Sequence, residues 1–402
     1  MGDIIVSAKT LRGRVEPPPY KSEVIRLLLL AGLCGVRPES FIRLPNNCGE
    51  DIANAVRAVN DAFFRTEAEH DETSPLSVHV GESATLLRLM LPALLRRNAH
   101  VRFFAAPSLL ARSFDEFESC LGCRIVRGSG FIDFFLGAEP QAFYSCNADK
   151  SSQFAGGMLL RLAAETLLGS EKKLFELEIP NPVSRPYLML TLETVKRFGC
   201  TIVWDERGIY RLAHGVLRPP TPFSPAADPA YDYSYAANFV AANAFGAEVL
   251  LPAPKERERA QADFAVHDLV FRDSVDISDS PDLFPILCIA ACGKKGTTTV
   301  FGTARLRGKE SDRVSSTAEC IRALGGNIEC SENSVLIRGT GTLIGGTVNA
   351  FRDHRIVMAA AIASLICMEP VVICGYEAVN KSAPQFFDDF KALGGTAIEH
   401  IR

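Results

Sequence analysis

The sequence predicts an α/β fold built from a few large repeated units that are divided between two halves. Five segments share one pattern, in which an amphipathic helix ends at an aromatic residue or leucine followed by glycine, and a strand begins shortly after it. Glycine just past a helix accepts a positive φ without a Cβ clash, so each segment predicts a helix end. The five glycines are Gly122, Gly199, Gly246, Gly325 and Gly394.

The residues before these glycines have helical spacing. Phe114, Phe117 and Leu121 recur at positions i, i+3 and i+7, and Val195 and Phe198 keep the i, i+3 step. Helices that alternate with strands predict sheets packed on helices. The glycines lie further apart than the repeats of known solenoid proteins, which favours a small number of large units.

A proline-rich segment separates two halves of comparable length. Residues 217–229 contain five prolines in thirteen positions, which favours an extended connector, and residues 17–19 form a second proline cluster. The two halves therefore cover about 15–225 and 229–402.

Composition limits the function classes. The 402-residue chain is 47% hydrophobic and 22% charged, with a net charge of −4, so no basic field draws it to nucleic acid. The longest apolar run, Ile356–Ala363, is far shorter than the roughly 18 residues of a membrane span. The N-terminus lacks the basic and apolar regions of a secretory signal. We therefore expect a cytoplasmic enzyme.

Motifs for metal, nucleotide or serine-hydrolase chemistry are incomplete. Of the twelve cysteines only Cys120 and Cys123 form a C-x-x-C pair, and no second pair follows at zinc spacing, which predicts buried thiols without a disulfide framework. The seven histidines have no metal-ligand spacing, and no Walker A sequence occurs. Gly81 begins a G-x-S-x-G pattern that Thr85 breaks.

Short polar clusters stand beside several apolar runs. Lys21, Ser22 and Arg26 lie around the first turn of a predicted helix, where backbone N–H groups and the helix dipole favour an anion. A serine N-cap and a solvated lysine would explain this cluster by itself. The repeated pairing of arginine or lysine with serine instead predicts a multiply anionic ligand bound between the halves. The other clusters are Gly81–Arg88, Ser151–Phe154, Ser184–Tyr187, Asp279–Pro285, Lys309–Arg313, Asp353–Arg355 and Asn380–Ser382.

Together and in this order, the clusters resemble the 3-phosphoshikimate 1-carboxyvinyltransferase (5-enolpyruvylshikimate-3-phosphate synthase) family, nearly from end to end. The resemblance implies an α/β (α+β) fold with two similar domains, each of three βαβαββ units, in the inside-out α/β barrel of the enolpyruvyl transferases. The N-terminal strand then joins the second domain. Domain 1 is 15–225 on the shikimate 3-phosphate side. Domain 2 is 1–14 plus 229–402 and closes over phosphoenolpyruvate, with hinges near 14–16 and 226–230.

The resemblance also implies the reaction. Members of the family transfer the enolpyruvyl group of phosphoenolpyruvate to the 5-hydroxyl of shikimate 3-phosphate and release phosphate. This step belongs to the shikimate pathway of chorismate and aromatic amino-acid biosynthesis, and it is the target of glyphosate. The implied partners are the two small-molecule substrates, with no metal, organic cofactor, nucleic acid or membrane, and the implied state is a cytoplasmic monomer.

The site residues follow from the matching positions. Arginines suit bidentate binding of carboxylate or phosphate, and the two hydroxyls and the amide of residues 151–153 suit a phosphate. The residues implied for shikimate 3-phosphate are Lys21, Ser22, Arg26, Ser151, Ser152, Gln153, Ser184, Tyr187, Asp282 and Lys309.

A second set is implied for phosphoenolpyruvate and for the chemistry. Asp282 is placed to accept the hydroxyl proton while Lys21 contacts that hydroxyl, and Glu310 and Lys381 handle the methylene proton and the departing phosphate. The catalytic residues are thus Lys21, Asp282, Glu310 and Lys381. The residues implied for phosphoenolpyruvate are Lys21, Ala84, Arg112, Gln153, Arg313, Arg355 and Lys381.

The chain departs from the family pattern at several positions. Glu82 stands where the family has asparagine, Ala84 where it has glycine, Ser113 where a proline follows the gripping arginine, and Arg305 where some members have asparagine. Pro19-Tyr20 also replaces a Gly-Ser pair. These changes leave open a weakly active or non-catalytic homologue that binds shikimate 3-phosphate.

A second alternative has the same fold. UDP-N-acetylglucosamine 1-carboxyvinyltransferase would need a reactive loop cysteine shortly before Arg112, and the sequence has none there, since Cys120 lies in the following predicted helix.

Overall fold

The computed structural model describes residues 2–65, 74–137, 141–171 and 174–400. The chain forms two compact units. The first unit consists of Tyr20–Pro45 and Glu50–Pro229. The second unit consists of Met1–Pro19, Asn46–Gly49 and Ala230–Arg402, so the N-terminal segment belongs to the same unit as the C-terminal half.

The strands are short, and most belong to four-stranded sheets. In chain order they are β1 Asp3–Ser7, β2 Arg12–Arg14, β3 Leu76–Gly81, β4 His100–Ala105, β5 Arg124–Gly128, β6 Phe131–Phe135, β7 Phe143–Ser145, β8 Glu176–Glu178, β9 Cys200–Trp204, β10 Ile209–Gly215, β11 Glu248–Leu250, β12 Ser274–Asp276, β13 Lys295–Phe301, β14 Asn327–Cys330, β15 Ser334–Thr340, β16 Gly346–Asn349, β17 Val371–Cys374 and β18 Thr396–His400.

The helices connect these strands. They are α1 Lys21–Leu33, α2 Glu50–Phe63, α3 Ala84–Leu95, α4 Pro107–Leu110, α5 Asp115–Leu121, α6 Ser152–Ala164, α7 Arg185–Arg197, α8 Tyr233–Ala244, α9 Glu256–Arg259, α10 Val266–Leu269, α11 Phe284–Cys292, α12 Arg313–Ala323, α13 His354–Ala363 and α14 Phe386–Ala392.

Four sheets repeat one topology. The strand orders are β3-β4-β6-β5 and β7-β8-β10-β9 in the first unit, and β12-β13-β15-β14 and β16-β17-β1-β18 in the second. In each sheet the first two strands are parallel and the remaining neighbours are antiparallel. With the intervening helices each sheet is a βαβαββ unit, and β1 supplies the last strand of the final one. The predicted α/β class is confirmed.

Each unit thus holds two complete βαβαββ repeats among the described residues. The rest of the first unit contributes α1 and α2. The rest of the second unit contributes α8 with the parallel pair β2 and β11, in which Val249 lies opposite Gly13.

The predicted helix ends are confirmed. The five glycines that follow α5, α7, α8, α12 and α14 all have positive φ, and a strand begins within three residues of each. A residue with a Cβ would be strained in this left-handed conformation. The φ values are 62° at Gly122, 84° at Gly199, 89° at Gly246, 84° at Gly325 and 97° at Gly394.

Helices form the centre of each unit. Every residue of α11 and of α13 is buried, and both helices pack against α8 in the second unit. In the first unit α6 packs against α3 and α7, and all but one residue of α6 is buried. A helix that is apolar all round must be enclosed by other elements. The helices therefore lie inside and the sheets outside, and the helix N-termini carry the polar clusters.

Two further sequence predictions concern cysteines and membranes. All twelve cysteines lie in the described ranges and are free thiols, and Cys120 and Cys123 are buried. Within the described ranges, no helix has both the length and the apolar character that crossing a bilayer requires.

Candidate active site

Most predicted site residues lie at the N-termini of helices. In the first unit they belong to α1, α3, α6 and α7, and in the second unit to α12, α13 and the turn before α11. The first N–H groups of a helix have no intrahelical acceptor and carry the positive end of the dipole. Each of these starts is therefore suited to an anionic group.

Lys21 is the first residue of α1, and an acidic residue holds it in place. Its Nζ lies 3.0 Å from Asp51 Oδ2, and only 15% of the Lys21 side chain is exposed. Ser22 is already inside the helix, so the alternative of a serine N-cap is wrong; Tyr20 occupies that position and its side chain does not cap the helix. The ammonium group is thus held near the start of α1.

Arg26 is a buried brace in this structure. The side chain is 1% exposed and donates to Thr191 Oγ1 at 2.8 Å, to the Ser22 carbonyl at 2.7 Å and to the Tyr187 carbonyl at 3.2 Å. Burial lowers the pKa of its guanidinium to about 10, which still leaves it charged at neutral pH. Arg26 therefore ties α1 to the first turn of α7, where Tyr187 lies.

Ser151, Ser152 and Gln153 open α6 as predicted. Ser151 is the N-cap, and its hydroxyl accepts a hydrogen bond from the Gln153 backbone N–H at 3.3 Å, while Ser152 is buried. The Gln153 side chain donates to Thr85 Oγ1 at 2.7 Å and accepts from Arg88 at 2.9 Å. These bonds fix Gln153 against the first turns of α3.

Ser184 has a strained backbone. It precedes α7 with φ 50° and ψ 48°, a left-handed conformation that is uncommon for a residue with a Cβ, and it is buried. Such conformations cost about 1–3 kcal/mol and persist where the surrounding structure enforces them, often at functional sites. The strain directs the chain into α7, whose third residue is the half-buried Tyr187.

Arg112 lies in the loop that joins α4 to α5. It is half-buried, and its Nε is buried without a hydrogen-bond partner among the described residues. On the neighbouring turn, Glu82 accepts a hydrogen bond from Ser108 Oγ at 3.0 Å, and Ala84 begins α3 with 4% exposure. Arg112 and Ala84 thus belong to adjacent connections of the same sheet.

In the second unit Arg313 joins three carboxylates. Its guanidinium lies 2.8 Å from Asp282 Oδ1, 2.6 Å from Glu310 Oε2 and 3.0 Å from Asp353 Oδ2. The side chain is 1% exposed. Arg355 contacts Asp282 Oδ2 at 2.6 Å, so two guanidinium groups share one carboxylate. Four predicted site residues therefore form one network.

The charges of this network decide the protonation of Asp282. Burial by itself would raise the pKa of its carboxyl, but the cations Arg355, Lys309 and Arg313 outweigh burial and hold that pKa well below its usual range. Conversely, burial would lower the pKa of Arg313, but Asp353, Glu310 and Asp282 raise it above its ordinary value. Asp282 and Arg313 are thus both ionised at neutral pH.

The two lysines of the second unit differ. Burial lowers the pKa of Lys309 to about 8, although the nearby Asp282 opposes this shift. Lys381 is 5% exposed, and its Nζ lies 3.8 Å from Glu310 Oε1. Glu310 therefore stands between the ammonium of Lys381 and the guanidinium of Arg313. Such a position suits proton transfer close to a bound anion.

Several residues that organise the site were not among the predicted ligands. Asp353 caps α13 by accepting from the Arg355 backbone N–H at 3.0 Å, and it also holds Arg313. Its place just before an apolar helix was an available signal, since aspartate is a preferred N-cap. Asp51 and Thr191 had no such signal, because each acts through a partner distant in sequence, Lys21 and Arg26 respectively.

The described residues contain no group of three or more histidine, cysteine, aspartate or glutamate side chains that could hold a metal ion. Asp282 pairs with Arg313 and Arg355, and Glu310 lies near Lys381.

The chain is similar to known proteins along its whole length. The family model described as EPSP synthase (3-phosphoshikimate 1-carboxyvinyltransferase) matches residues 256–390. The 3-phosphoshikimate 1-carboxyvinyltransferase of Clostridium botulinum (strain Alaska E43 / Type E3) is 30% identical over 438 aligned positions, which cover 98% of each chain. The enzyme of the same name from Methanocorpusculum labreanum is 29% identical and covers 97% of this chain and 98% of its own.

Solved structures share the fold. The EPSP synthase of Acinetobacter baumannii superposes with a TM-score of 0.73 at 21% identity and covers 100% of both chains. The enolpyruvyl transferase NikO of Streptomyces tendae gives a TM-score of 0.66 at 15% identity, with 99% of this chain and 98% of its own covered. The repeated βαβαββ sheets and the end-to-end similarity agree. This chain belongs to the EPSP synthase (3-phosphoshikimate 1-carboxyvinyltransferase) family.

Proposed function

We propose that this chain transfers the enolpyruvyl group of phosphoenolpyruvate to the 5-hydroxyl of shikimate 3-phosphate and releases phosphate, as a step of the shikimate pathway. The observation that carries the proposal is the network in which Arg313 and Arg355 share Asp282, with Glu310 between Arg313 and Lys381. This network of the second unit supplies cations that can bind an anionic substrate and carboxylates that can transfer protons. Family membership supports the same activity.

Shikimate 3-phosphate is proposed to bind the helix starts of the first unit. The hydroxyls of Ser151, Ser152 and Ser184 lie at the beginnings of α6 and α7, where backbone N–H groups favour a phosphate. Arg26 holds the first turn of α7 in place by donating to the Tyr187 carbonyl. The proposed ligands are Lys21, Ser22, Arg26, Ser151, Ser152, Gln153, Ser184, Tyr187, Asp282 and Lys309.

Phosphoenolpyruvate is proposed to bind the arginines. Arg112 has a buried Nε without a partner among the described residues, so an incoming carboxylate or phosphate would satisfy it. Guanidinium groups bind such anions with two parallel hydrogen bonds. The proposed ligands are Lys21, Ala84, Arg112, Gln153, Arg313, Arg355 and Lys381, with Ala84 lining the substrate.

The reaction is one addition followed by one elimination, and the methylene carbon gains a proton in the first step and loses one in the second. The 5-hydroxyl oxygen attacks C2 of phosphoenolpyruvate while the methylene carbon gains a proton, which gives a tetrahedral intermediate. The C2–O bond to phosphate then breaks, and the methyl group loses a proton to form the carboxyvinyl ether. We assign the hydroxyl proton to Asp282, with Lys21 contacting that oxygen, and the carbon proton to Glu310 and Lys381.

We expect the basicity of Asp282 to depend on whether substrate is bound. With Arg313 and Arg355 bound to it, Asp282 is a weak base, because both cations favour its ionised form. A carboxylate or phosphate that takes over some arginine donors weakens this effect and raises the pKa of Asp282. We infer that Asp282 becomes an effective base only once phosphoenolpyruvate is bound.

The proposed function also implies a domain organisation and a cellular setting. We propose domains at 15–225 and at 1–14 plus 229–402, hinges near 14–16 and 226–230, and a cytoplasmic monomer that needs no cofactor. Each proposed domain carries part of the substrate ligands.

Titration calorimetry followed by product analysis tests the proposed function. We expect shikimate 3-phosphate to bind and, with phosphoenolpyruvate added, to gain the mass of a carboxyvinyl group. Binding without this product would identify a non-catalytic homologue. The same product formed on UDP-N-acetylglucosamine, and not on shikimate 3-phosphate, would assign the chain to the other transferase.

A further inference from the structure

Arg127 lies outside all the proposed substrate ligands, yet it contacts the backbone of the loop that carries Arg112. It is an exposed residue of β5. Its Nη2 donates to the Arg112 carbonyl at 3.0 Å, and its Nη1 donates to the Leu110 carbonyl. The guanidinium carbon also lies 5.6 Å from the centre of the Phe114 ring. One side chain thus contacts the loop at three successive points.

These contacts satisfy groups that the local backbone leaves open. Helix α4 has only four residues and ends at Leu110, so its last carbonyls have no intrahelical donor. A basic side chain near a helix C-terminus commonly supplies that hydrogen bond. Here the strand β5 supplies it, because it runs beside the loop that joins α4 to α5. The carbonyl of Arg112 is included in the same fork.

Before residue 112 the loop is held by its own backbone, since the Arg112 N–H donates to the Leu109 carbonyl at 3.1 Å and the Ala111 N–H donates to the Pro107 carbonyl at 3.1 Å. Ser113 leaves the Arg112 backbone without the restriction that a proline at position 113 would impose on the preceding residue. After residue 112, the carbonyl of Ser113 accepts from Arg88 at 3.2 Å, and Arg88 also binds Gln153. Arg88 thus holds the loop at Ser113, whereas Arg127 holds the carbonyl of Arg112 itself. Among the described residues, the side-chain hydrogen bonds of Arg127 go to the Leu110 and Arg112 carbonyls.

We propose that Arg127 is a positioning residue that holds Arg112 ready for the anion. The inference rests on the proposed function, since it concerns how that site binds phosphoenolpyruvate. It assigns Arg127 no contact with substrate. Its effect passes through the backbone of residues 110–112, so it changes how much of the binding free energy is spent on ordering the loop.

Steady-state kinetics with a matched control test this role. Arg127→Ala is expected to raise KM for phosphoenolpyruvate about three- to tenfold, with kcat and KM for shikimate 3-phosphate unchanged. Arg127→Lys keeps the charge but loses the two parallel donors of the guanidinium, so its KM for phosphoenolpyruvate should lie between those of wild type and Arg127→Ala. The control is Arg124→Ala, on the same strand, where the guanidinium stacks 4.1 Å from the Phe135 ring centre instead of contacting the loop. It should leave all three constants unchanged.

A second substitution tests the mechanism itself. Adding Ser113→Pro to Arg127→Ala should recover at least half of the lost affinity, because proline restrains Arg112 from the other side. If Arg127→Ala lowers kcat while KM stays constant, or if Arg124→Ala has the same effect as Arg127→Ala, the positioning role is wrong.

Hydrogen–deuterium exchange separates this inference from the proposed function. Arg127→Ala should speed exchange in the peptide covering residues 107–114, and Arg124→Ala should not, whether or not the protein turns over substrate. If the wild type is inactive, the proposed function is wrong, but faster loop exchange in Arg127→Ala would still show that Arg127 holds the loop. If the wild type is active and Arg127→Ala changes neither KM for phosphoenolpyruvate nor the exchange of the loop, the inference is wrong. If the alanine variant does not fold, Arg127→Lys supplies the same test.

Discussion

Arg355 Nη2 lies 2.6 Å from Asp282 Oδ2, and Arg313 occupies the other oxygen of the same carboxylate. The carboxylate is therefore fixed in orientation and charge before any substrate arrives. A base held this way is unreactive until an anion competes for its partners. This relationship connects substrate binding to the proposed proton transfer.

Replacing Asp282 tests that connection. Asp282→Asn keeps the shape but can no longer accept a proton, so kcat should fall at least a hundredfold, as general-base catalysis contributes about 10²–10⁴-fold. KM for phosphoenolpyruvate should not rise, because both arginines lose a competing anion. The control is Asp273→Asn, an exposed carboxylate that pairs with Lys294, which should leave kcat unchanged. An unchanged kcat in Asp282→Asn would contradict the base assignment.

Lys309 predicts a pH limit. Burial lowers the pKa of its ammonium to about 8, so it carries its charge below that pH and loses it above. Because the proposed ligand is a phosphate, kcat/KM for shikimate 3-phosphate should fall as pH rises through about 8. Lys309→Arg keeps the charge at high pH and should move this limb upward by more than one pH unit. A limb at the same pH in both proteins would assign it to another group.

Arg112 is expected to contribute strongly to phosphoenolpyruvate affinity. A hydrogen bond to a charged group contributes about 1.5–3 kcal/mol, so Arg112→Ala should raise KM for phosphoenolpyruvate about ten- to a hundredfold. Arg112→Lys should be intermediate, and KM for shikimate 3-phosphate should barely change. If Arg112→Ala has the wild-type KM, another cation, such as Arg88, holds the substrate.

Ala84 predicts a response to glyphosate. Its methyl group stands at the first residue of α3 with 4% exposure, where the family pattern has glycine. Glyphosate resembles phosphoenolpyruvate but is longer, so the methyl group should exclude it more strongly. Ala84→Gly should lower the inhibitory concentration of glyphosate, measured at fixed phosphoenolpyruvate. Equal inhibition of both proteins would show that this methyl group does not limit the inhibitor.

Asp263 predicts a pH dependence of stability. Burial, together with the charge of Asp282, raises the pKa of its carboxyl to about 7, although Arg355 and Ser234 oppose the shift. The folded state therefore binds a proton that the unfolded state has already released between about pH 4 and 7, and stability falls as pH rises through that window. Asp263→Asn cannot ionise and lacks this loss.

Denaturant unfolding at pH 5 and pH 8 measures this effect. The free energy of unfolding of Asp263→Asn minus that of wild type should be larger at pH 8 than at pH 5, by on the order of 2 kcal/mol, because only the wild type loses stability in between. Asp273→Asn is the exposed control and should show the same difference at both pH values. A pH-independent difference for Asp263→Asn would place its pKa in the ordinary range.

Local sequence signals predicted the parts of the fold that local physics determines. The five glycines end helices because only they adopt positive φ cheaply, and the serine and aspartate N-caps mark the starts of α6 and α13. The shared Asp282 was not predictable in this way. Arg313 and Arg355 lie 31 and 73 residues from it in sequence, and only the packing of α11, α12 and α13 brings them together.

The role of Arg26 shows the same limit. Its place near a helix start indicated an anion ligand, which stays a prediction, but nothing local indicated that its guanidinium binds Thr191 and the carbonyls of Ser22 and Tyr187. The apolar residues on both sides of it, Val24-Ile25 and Leu27–Leu30, were a signal for burial. Its partners on α7 lie more than 160 residues away, so no local pattern could identify them.

Phosphate release with both substrates present tests the central claim most directly. Purified protein should release one phosphate for each carboxyvinyl ether formed, only when phosphoenolpyruvate and shikimate 3-phosphate are supplied together, and Asp282→Asn should release almost none. Phosphate released from phosphoenolpyruvate alone at the same rate, or no release from the complete mixture, would contradict the account.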